Sequence, residues 1–142
     1  MRKMEKIQYR SLKYVYNDFK STYTELRRYS NKKLLYENRI LIILCEVYRC
    51  IMKLNPIYLH DMFVTSSNVH NTRGKLKLNL PNYKYVKYGK DTFSYNGTML
   101  WNMLSDDLKC TENFSDFKRL LNAWEGPHCS CSYCNICILK QI

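Results

Sequence analysis

Apolar residues recur at helical spacing through most of this chain. Met4, Ile7, Tyr14 and Val15 are interspersed with Arg2, Lys3, Lys6, Arg10 and Lys13, which predicts a basic amphipathic helix over about residues 3–17. Asn17-Asp18 interrupts it. In Thr22-Tyr23-Thr24-Glu25 a hydroxyl and a carboxylate stand three apart, the spacing of a capping box, so a short helix carrying Leu26 and Tyr29 should start there. From Lys33 to about Lys53 the set Leu34, Leu35, Ile40, Leu41, Ile43, Leu44, Val47, Tyr48, Ile51 and Met52 covers more than half the circumference, as expected of a central helix. Asn55-Pro56 stops it. With Asn55 as cap and Pro56 at a first helical position, one or two further turns would carry Ile57, Leu59, Met62 and Phe63.

Residues 64–75 lack a period, and Thr65-Ser66-Ser67-Asn68 reads as loop. Beyond it Leu76, Leu78 and Leu80 alternate with Lys77 and Asn79. Pro81-Asn82 follows, then Tyr83, Tyr85 and Lys87 alternate with Lys84, Val86 and Tyr88, which predicts a β-hairpin closed by Gly89. Tyr95 to Leu104 reads as a helix, and Phe114, Phe117, Leu121 and Trp124 share one face of another before Gly126-Pro127. The expected fold is mainly α with a small β-hairpin (α+β), a helical bundle in three stretches: a basic helical segment over 1–63, the hairpin with its helices over 64–125, and a Cys-rich tail over 126–142.

The 142 residues are 46% hydrophobic and 25% charged with only 4 Gly and 3 Pro, the profile of a folded chain. This length holds one core and leaves no room for a polymerase palm together with an accessory domain. The longest purely apolar run, Ile40 to Cys45, is far short of the ~20 residues of a membrane helix. The first residues also lack the apolar centre of a signal peptide, so an intracellular protein, nuclear or cytoplasmic and without a membrane partner, is expected. Charge changes the picture more. The net formal charge is +11, and residues 1–58 hold 13 basic against 5 acidic side chains, whereas 101–142 hold 4 against 5. A positive field combined with 13 Tyr would attract a phosphate backbone and offer rings to bases or sugars. The competing reading is a solvated basic surface over a Tyr-filled core.

Candidate chemistry is concentrated at the end of the chain. Cys129, Cys131, Cys134 and Cys137 fall within nine residues beside His128, and two Cys-x-x-Cys steps allow thiolates to share one tetrahedral ion. Zinc is the expected cofactor, with a disulfide scaffold or a reduced, mobile tail as alternatives. Cys45, Cys50 and Cys110 read as core or surface residues rather than ligands. Asp106-Asp107 is the one adjacent acidic pair, the kind that holds two metal ions in polymerases, but Ser105 before it makes a helix cap and first turn the better reading. His60 and His70 have no partner at ligand spacing, and no phosphate loop or nucleophile elbow is present, so no catalytic residue is assigned and no enzyme is expected.

Several ordered pieces carry a resemblance. They are Ile7-Gln8-x-Arg10, Tyr14-Val15-Tyr16-Asn17-Asp18-Phe19, Ser21-x-Tyr23-x-Glu25-Leu26, Asn55-Pro56-x-Tyr58-Leu59, Arg73, Tyr88-Gly89-x-Asp91-x-Phe93-x-Tyr95, Trp101-Asn102-x-Leu104, Phe114-x-x-Phe117-Lys118 and Trp124-x-Gly126-Pro127-x-Cys129-x-Cys131-x-x-Cys134. Together they resemble the extreme C-terminal part of non-LTR (LINE-type, jockey-like) retrotransposon polyproteins, downstream of the reverse-transcriptase palm. The resemblance spans about residues 4–137 and departs from the family at Leu104-Ser105, where Leu-Pro is usual. It implies a thumb-like, non-catalytic fragment of an RNA-directed DNA polymerase that grips RNA or an RNA–DNA hybrid without regard to sequence. It also implies a tail like a zinc knuckle. Within the basic segment, Arg10, Lys13, Lys20, Arg27 and Arg28 are the candidate phosphate contacts. Trp101 is expected to fill a core and Asn102 to bond local backbone. A protein-interaction module and a non-functional relic of the element are the other readings.

Overall fold

The computed structural model describes residues 3–65, 76–84 and 89–124. Seven helices occur among them: α1 (Lys3–Tyr16), α2 (Tyr23–Ser30), α3 (Leu35–Ile51), α4 (Ile57–His60), α5 (Phe93–Asn102), α6 (Asp106–Lys109) and α7 (Phe114–Ala123). The chain divides into two compact units, Met1–Arg39 and Ile40–Ile142. The second begins inside the stretch expected over 1–63, within α3, at the buried Ile40.

The first three helices stop by one device. Asn17, Asn31 and Lys53 take left-handed backbone (φ 49°, 49° and 56°), and the amide of the next residue reaches back to a carbonyl five residues earlier: Asp18 to Lys13 (3.0 Å), Lys32 to Arg27 (3.2 Å) and Leu54 to Arg49 (2.9 Å). These bonds satisfy carbonyls that a helix end leaves open. Asparagine tolerates this conformation; lysine does so at some cost. Helix starts follow the expected local chemistry. Glu25 closes the capping box of α2 by accepting from the Thr22 amide (2.7 Å) and hydroxyl (2.8 Å). Ser105 occupies the N-cap position of α6 in extended conformation, with Asp106 and Asp107 in its first turn, but its side chain makes no capping hydrogen bond. At α4 the cap is Pro56 rather than Asn55, whose carboxamide instead donates to the Glu46 carboxylate (3.1 Å).

In the C-terminal unit, Ile40, Leu44, Val47 and Tyr48 form the buried stripe of α3 at the i, i+4, i+7, i+8 positions of one face. Tyr48 stacks on Phe117 of α7 (centroids 4.3 Å apart, 21° between planes), Phe117 lies 6.1 Å from Trp101 of α5, and the Tyr48 hydroxyl donates to the Thr111 carbonyl (2.8 Å). Burial raises the Tyr48 pKa, as it does those of the Cys45 and Cys50 thiols, which makes poor thiolates of both. Gly97 lets α5 approach α3. A Cβ there would stand 2.7 Å from Val47 Cγ2 and 3.2 Å from Phe63 Cε1.

The hairpin is not formed among the described residues. Leu78 makes a single antiparallel bridge with Thr65, beside which the Asn79 amide donates to the Val64 carbonyl (2.8 Å), and side chains of α5 hold the backbone of Leu76 and Leu78. The Trp101 indole donates to the Leu76 carbonyl (2.9 Å), while the Asn102 carboxamide accepts from the Leu78 amide (3.0 Å) and donates to the Leu78 carbonyl (2.9 Å). The amide group thus takes both places that a neighbouring strand would fill on that side of Leu78, so among the described residues the alternation of Leu76, Leu78 and Leu80 belongs to an extended segment with one bridge. The expected second arm is only partly covered, since 85–88 lie outside the described residues, as do 66–75. Asn102 bonds backbone, as expected, but 24 residues away rather than locally. Replacement Asn102→Ala would leave the amide and carbonyl of buried Leu78 unpaired, so a urea melt should show a loss of about 2–3 kcal/mol with an unchanged m-value.

Candidate nucleic-acid interface

The N-terminal unit carries 11 basic and 4 acidic side chains, net +7. Its helices α1 and α2 meet through tyrosines. The rings of Tyr9 and Tyr23 pack edge to face (5.6 Å), the Tyr9 hydroxyl donates to the Ser21 carbonyl (2.9 Å), and the Tyr23 hydroxyl donates to Gln8 Oε1 (2.8 Å). Burial, reinforced by the Glu5 charge, raises the Tyr23 pKa and keeps its proton on the donor side of that bond. Leu12 and Leu26 supply the buried aliphatic surface.

This packing turns the apolar stripe of α1 outward. Met4, Ile7, Tyr14 and Val15 are all more than half exposed, because Gln8, Tyr9 and Leu12 form the face against α2. Tyrosine and glutamine with satisfied polar groups make a good interface, and Gln8, Tyr9 and Leu12 lie outside the apolar set Met4, Ile7, Tyr14 and Val15 from which the helix is expected. Phe19, Tyr29 and Tyr16 are exposed as well, so the unit displays four rings beside its cations.

The five candidate cations separate into two kinds. Arg10, Lys20, Arg27 and Arg28 are in no ion pair or side-chain hydrogen bond among the described residues; Arg10, Lys20 and Arg28 are exposed and Arg27 is half-buried. Lys13 is engaged. Its ammonium lies over the Tyr9 ring (4.4 Å from the centroid) and donates to the Phe19 carbonyl (3.3 Å), so it ties the α1–α2 connection to α1. Arg27 and Arg28 also sit in the last turn of α2, where positive charge complements the helix dipole. Arg10 and Lys20 flank the edge-to-face pair of Tyr14 and Phe19 (5.4 Å, 85°) along the chain, a grouping that periodicity does not reveal because Phe19 follows the helix end.

Asp18 organises that connection. Hydrogen bonds from the Ser21 hydroxyl and from the Ser21 and Lys20 amides hold its carboxyl below the usual carboxylate range, and its Oδ1 lies 3.0 Å from both amides. In the other unit Lys109 is a buried cation that the sequence did not single out, 3.8 Å from Asp106. Burial lowers its pKa and the Asp106 charge opposes that shift. Cys129, Cys131, Cys134 and Cys137 lie outside the described residues, and among those described no group of three or more His, Cys, Asp or Glu can hold a metal ion. No described helix is long and apolar enough to cross a membrane.

The Thr22 amide and hydroxyl hold the Glu25 carboxyl below its ordinary range. A depressed carboxylate contributes stability that is complete above its unfolded pKa and is lost as pH falls through the folded one. Glu25→Gln should therefore melt α2 more readily at neutral pH, and the gap to the parent should close below about pH 4, as read by circular dichroism melts across pH. Comparison with known proteins gives no relative for this arrangement: no family model, no curated protein and no solved structure matches the chain.

Proposed function

We propose that this chain is a non-catalytic nucleic-acid-binding module of the thumb-side, post-palm kind that non-LTR retrotransposon reverse transcriptases carry. One observation supports the reading above the others: among the described residues Arg10, Lys20, Arg27 and Arg28 make no ion pair or side-chain hydrogen bond, on a unit of net +7 that also exposes Tyr14, Tyr16, Phe19 and Tyr29. Unpaired guanidinium and ammonium groups neutralise phosphates and release counterions, which gives affinity without sequence preference. The ligand is RNA or an RNA–DNA hybrid. Lys13 acts through the scaffold, by holding the Phe19 carbonyl.

A second reading has its own observation. Met4, Ile7 and Val15 form an exposed aliphatic edge on α1 that nucleic acid does not need, and a protein partner would bury it. Salt separates the two, since an apolar interface is only weakly sensitive to ions. The four cysteines at Cys129, Cys131, Cys134 and Cys137 have the thiolate chemistry of a structural zinc site, and their place in the proposal is a knuckle that adds contacts to RNA.

Fluorescence anisotropy of labelled RNA and of a labelled RNA–DNA hybrid, each at two salt concentrations, is the test. Affinity should fall steeply with salt, and neutralising Arg10, Lys20, Arg27 and Arg28 together should reduce the slope of log K against log salt by ~3 while weakening all sequences alike. Salt-insensitive binding, or none at low salt, would favour the protein-partner reading. Metal analysis of chain purified with reduced thiols and without chelator should find one equivalent of zinc that is lost on Cys131→Ser; metal-free protein would remove the knuckle from the proposal.

A further inference from the structure

We infer that the Tyr14–Phe19 pair, with Arg10 and Lys20 on either side of it in the chain, is a stacking site for unpaired bases, so that the preferred ligand is single-stranded nucleic acid rather than a duplex. The inference rests on the nucleic-acid reading above and specifies which form is taken.

The two rings are exposed to 75% and 54% and meet edge to face, an arrangement in which their mutual contact covers one face of one ring only. Arg10 lies one turn before Tyr14 on the same side of α1, and Lys20 follows Phe19 directly. The ring that lies beyond the helix is held in place by its own backbone. The Phe19 carbonyl accepts from Lys13 Nζ, the Asp18 carboxylate accepts from the Lys20 and Ser21 amides, and the Asp18 amide returns to the Lys13 carbonyl (3.0 Å) across the left-handed Asn17. The negative charge of Asp18 is thus directed at loop amides. A platform fixed in advance loses little freedom when a base settles on it.

Duplex geometry makes poor use of such a site. In a double helix the base faces are stacked on one another, and a protein reaches phosphates, sugars and base edges. Exposed rings therefore add nothing that Arg10 and Lys20 would not already supply. A single strand offers free base faces, and stacking them on aromatic side chains is tolerant of sequence. Tyr14 and Phe19 so placed discriminate strand form, not sequence.

The probes are a labelled oligouridylate of about twelve nucleotides and a blunt RNA–DNA hybrid of equal length, titrated into the full chain at low salt. The single strand should bind about tenfold or more tightly than the duplex. Tyr14→Ala and Phe19→Ala should each weaken the single strand by about tenfold and leave the duplex unchanged, with far-UV circular dichroism like the parent. Tyr14→Trp should retain single-strand affinity, and its added emission should be quenched on binding. Equal or tighter duplex binding overturns the inference while leaving the nucleic-acid reading intact. So does an equal loss for both probes in the alanine variants, which would mark the rings as scaffold. If neither probe binds, the nucleic-acid reading itself fails and this inference falls with it.

Discussion

Three hydrogen bonds from two adjacent side chains position the extended segment of the C-terminal unit. The Trp101 indole and the Asn102 carboxamide hold the backbone of Leu76 and Leu78 against the end of α5, and Leu76 accepts a left-handed conformation (φ 67°) in doing so. A leucine in that region is strained, and such a residue persists only where its surroundings over-determine it. The ring of the same tryptophan lies beside the Phe117–Tyr48 stack, so one side chain fills the core and fixes a segment 25 residues away. Polar satisfaction and packing are therefore coupled at Trp101: removing the ring would open a cavity and also free the Leu76 carbonyl.

Much of the helical framework was legible in the sequence because its signals are local. The Thr22–Glu25 capping box, Ser105 before Asp106-Asp107, and Asn17 at the end of α1 are spacings of a few residues that act within one turn. The central helix α3 was equally plain, but its apolar set covers more than half the circumference, and only Ile40, Leu44, Val47 and Tyr48 of that set are buried. What periodicity could not reveal is what each face meets. On α1 the apolar stripe faces outward and a tyrosine-glutamine face packs on α2. At Leu76–Leu80 the pattern showed an extended segment but could not distinguish a strand partner from the Asn102 carboxamide. The cations were visible as a cluster, whereas the difference between engaged Lys13 and unpartnered Arg10 depends on the position of one carbonyl oxygen.

The two units use their polar groups differently. In the C-terminal unit Arg49 pairs with Glu46 and lies over the Phe114 ring, Arg119 pairs with Asp116, and Lys109 is buried beside Asp106, so several cations there are committed to the fold. In the N-terminal unit the acidic groups Asp18 and Glu25 are committed to backbone amides, and among the described residues Arg10, Arg27 and Arg28 form no ion pair with a carboxylate. This division follows from composition: with 4 acids against 11 bases, the capping carboxylates leave little negative charge to neutralise Arg10, Arg27 and Arg28. A positive surface is the consequence, and the proposed function is a reading of that surface.

Backbone and side-chain NMR shifts of the full chain, followed while a single-stranded oligonucleotide is added, test the proposed division most directly. The resonances of Arg10, Tyr14, Phe19, Lys20 and Arg28 should shift progressively while those of the Trp101 indole and the Leu78 amide stay in place. Movement of the Trp101 and Leu78 resonances with the N-terminal cations unmoved would contradict it.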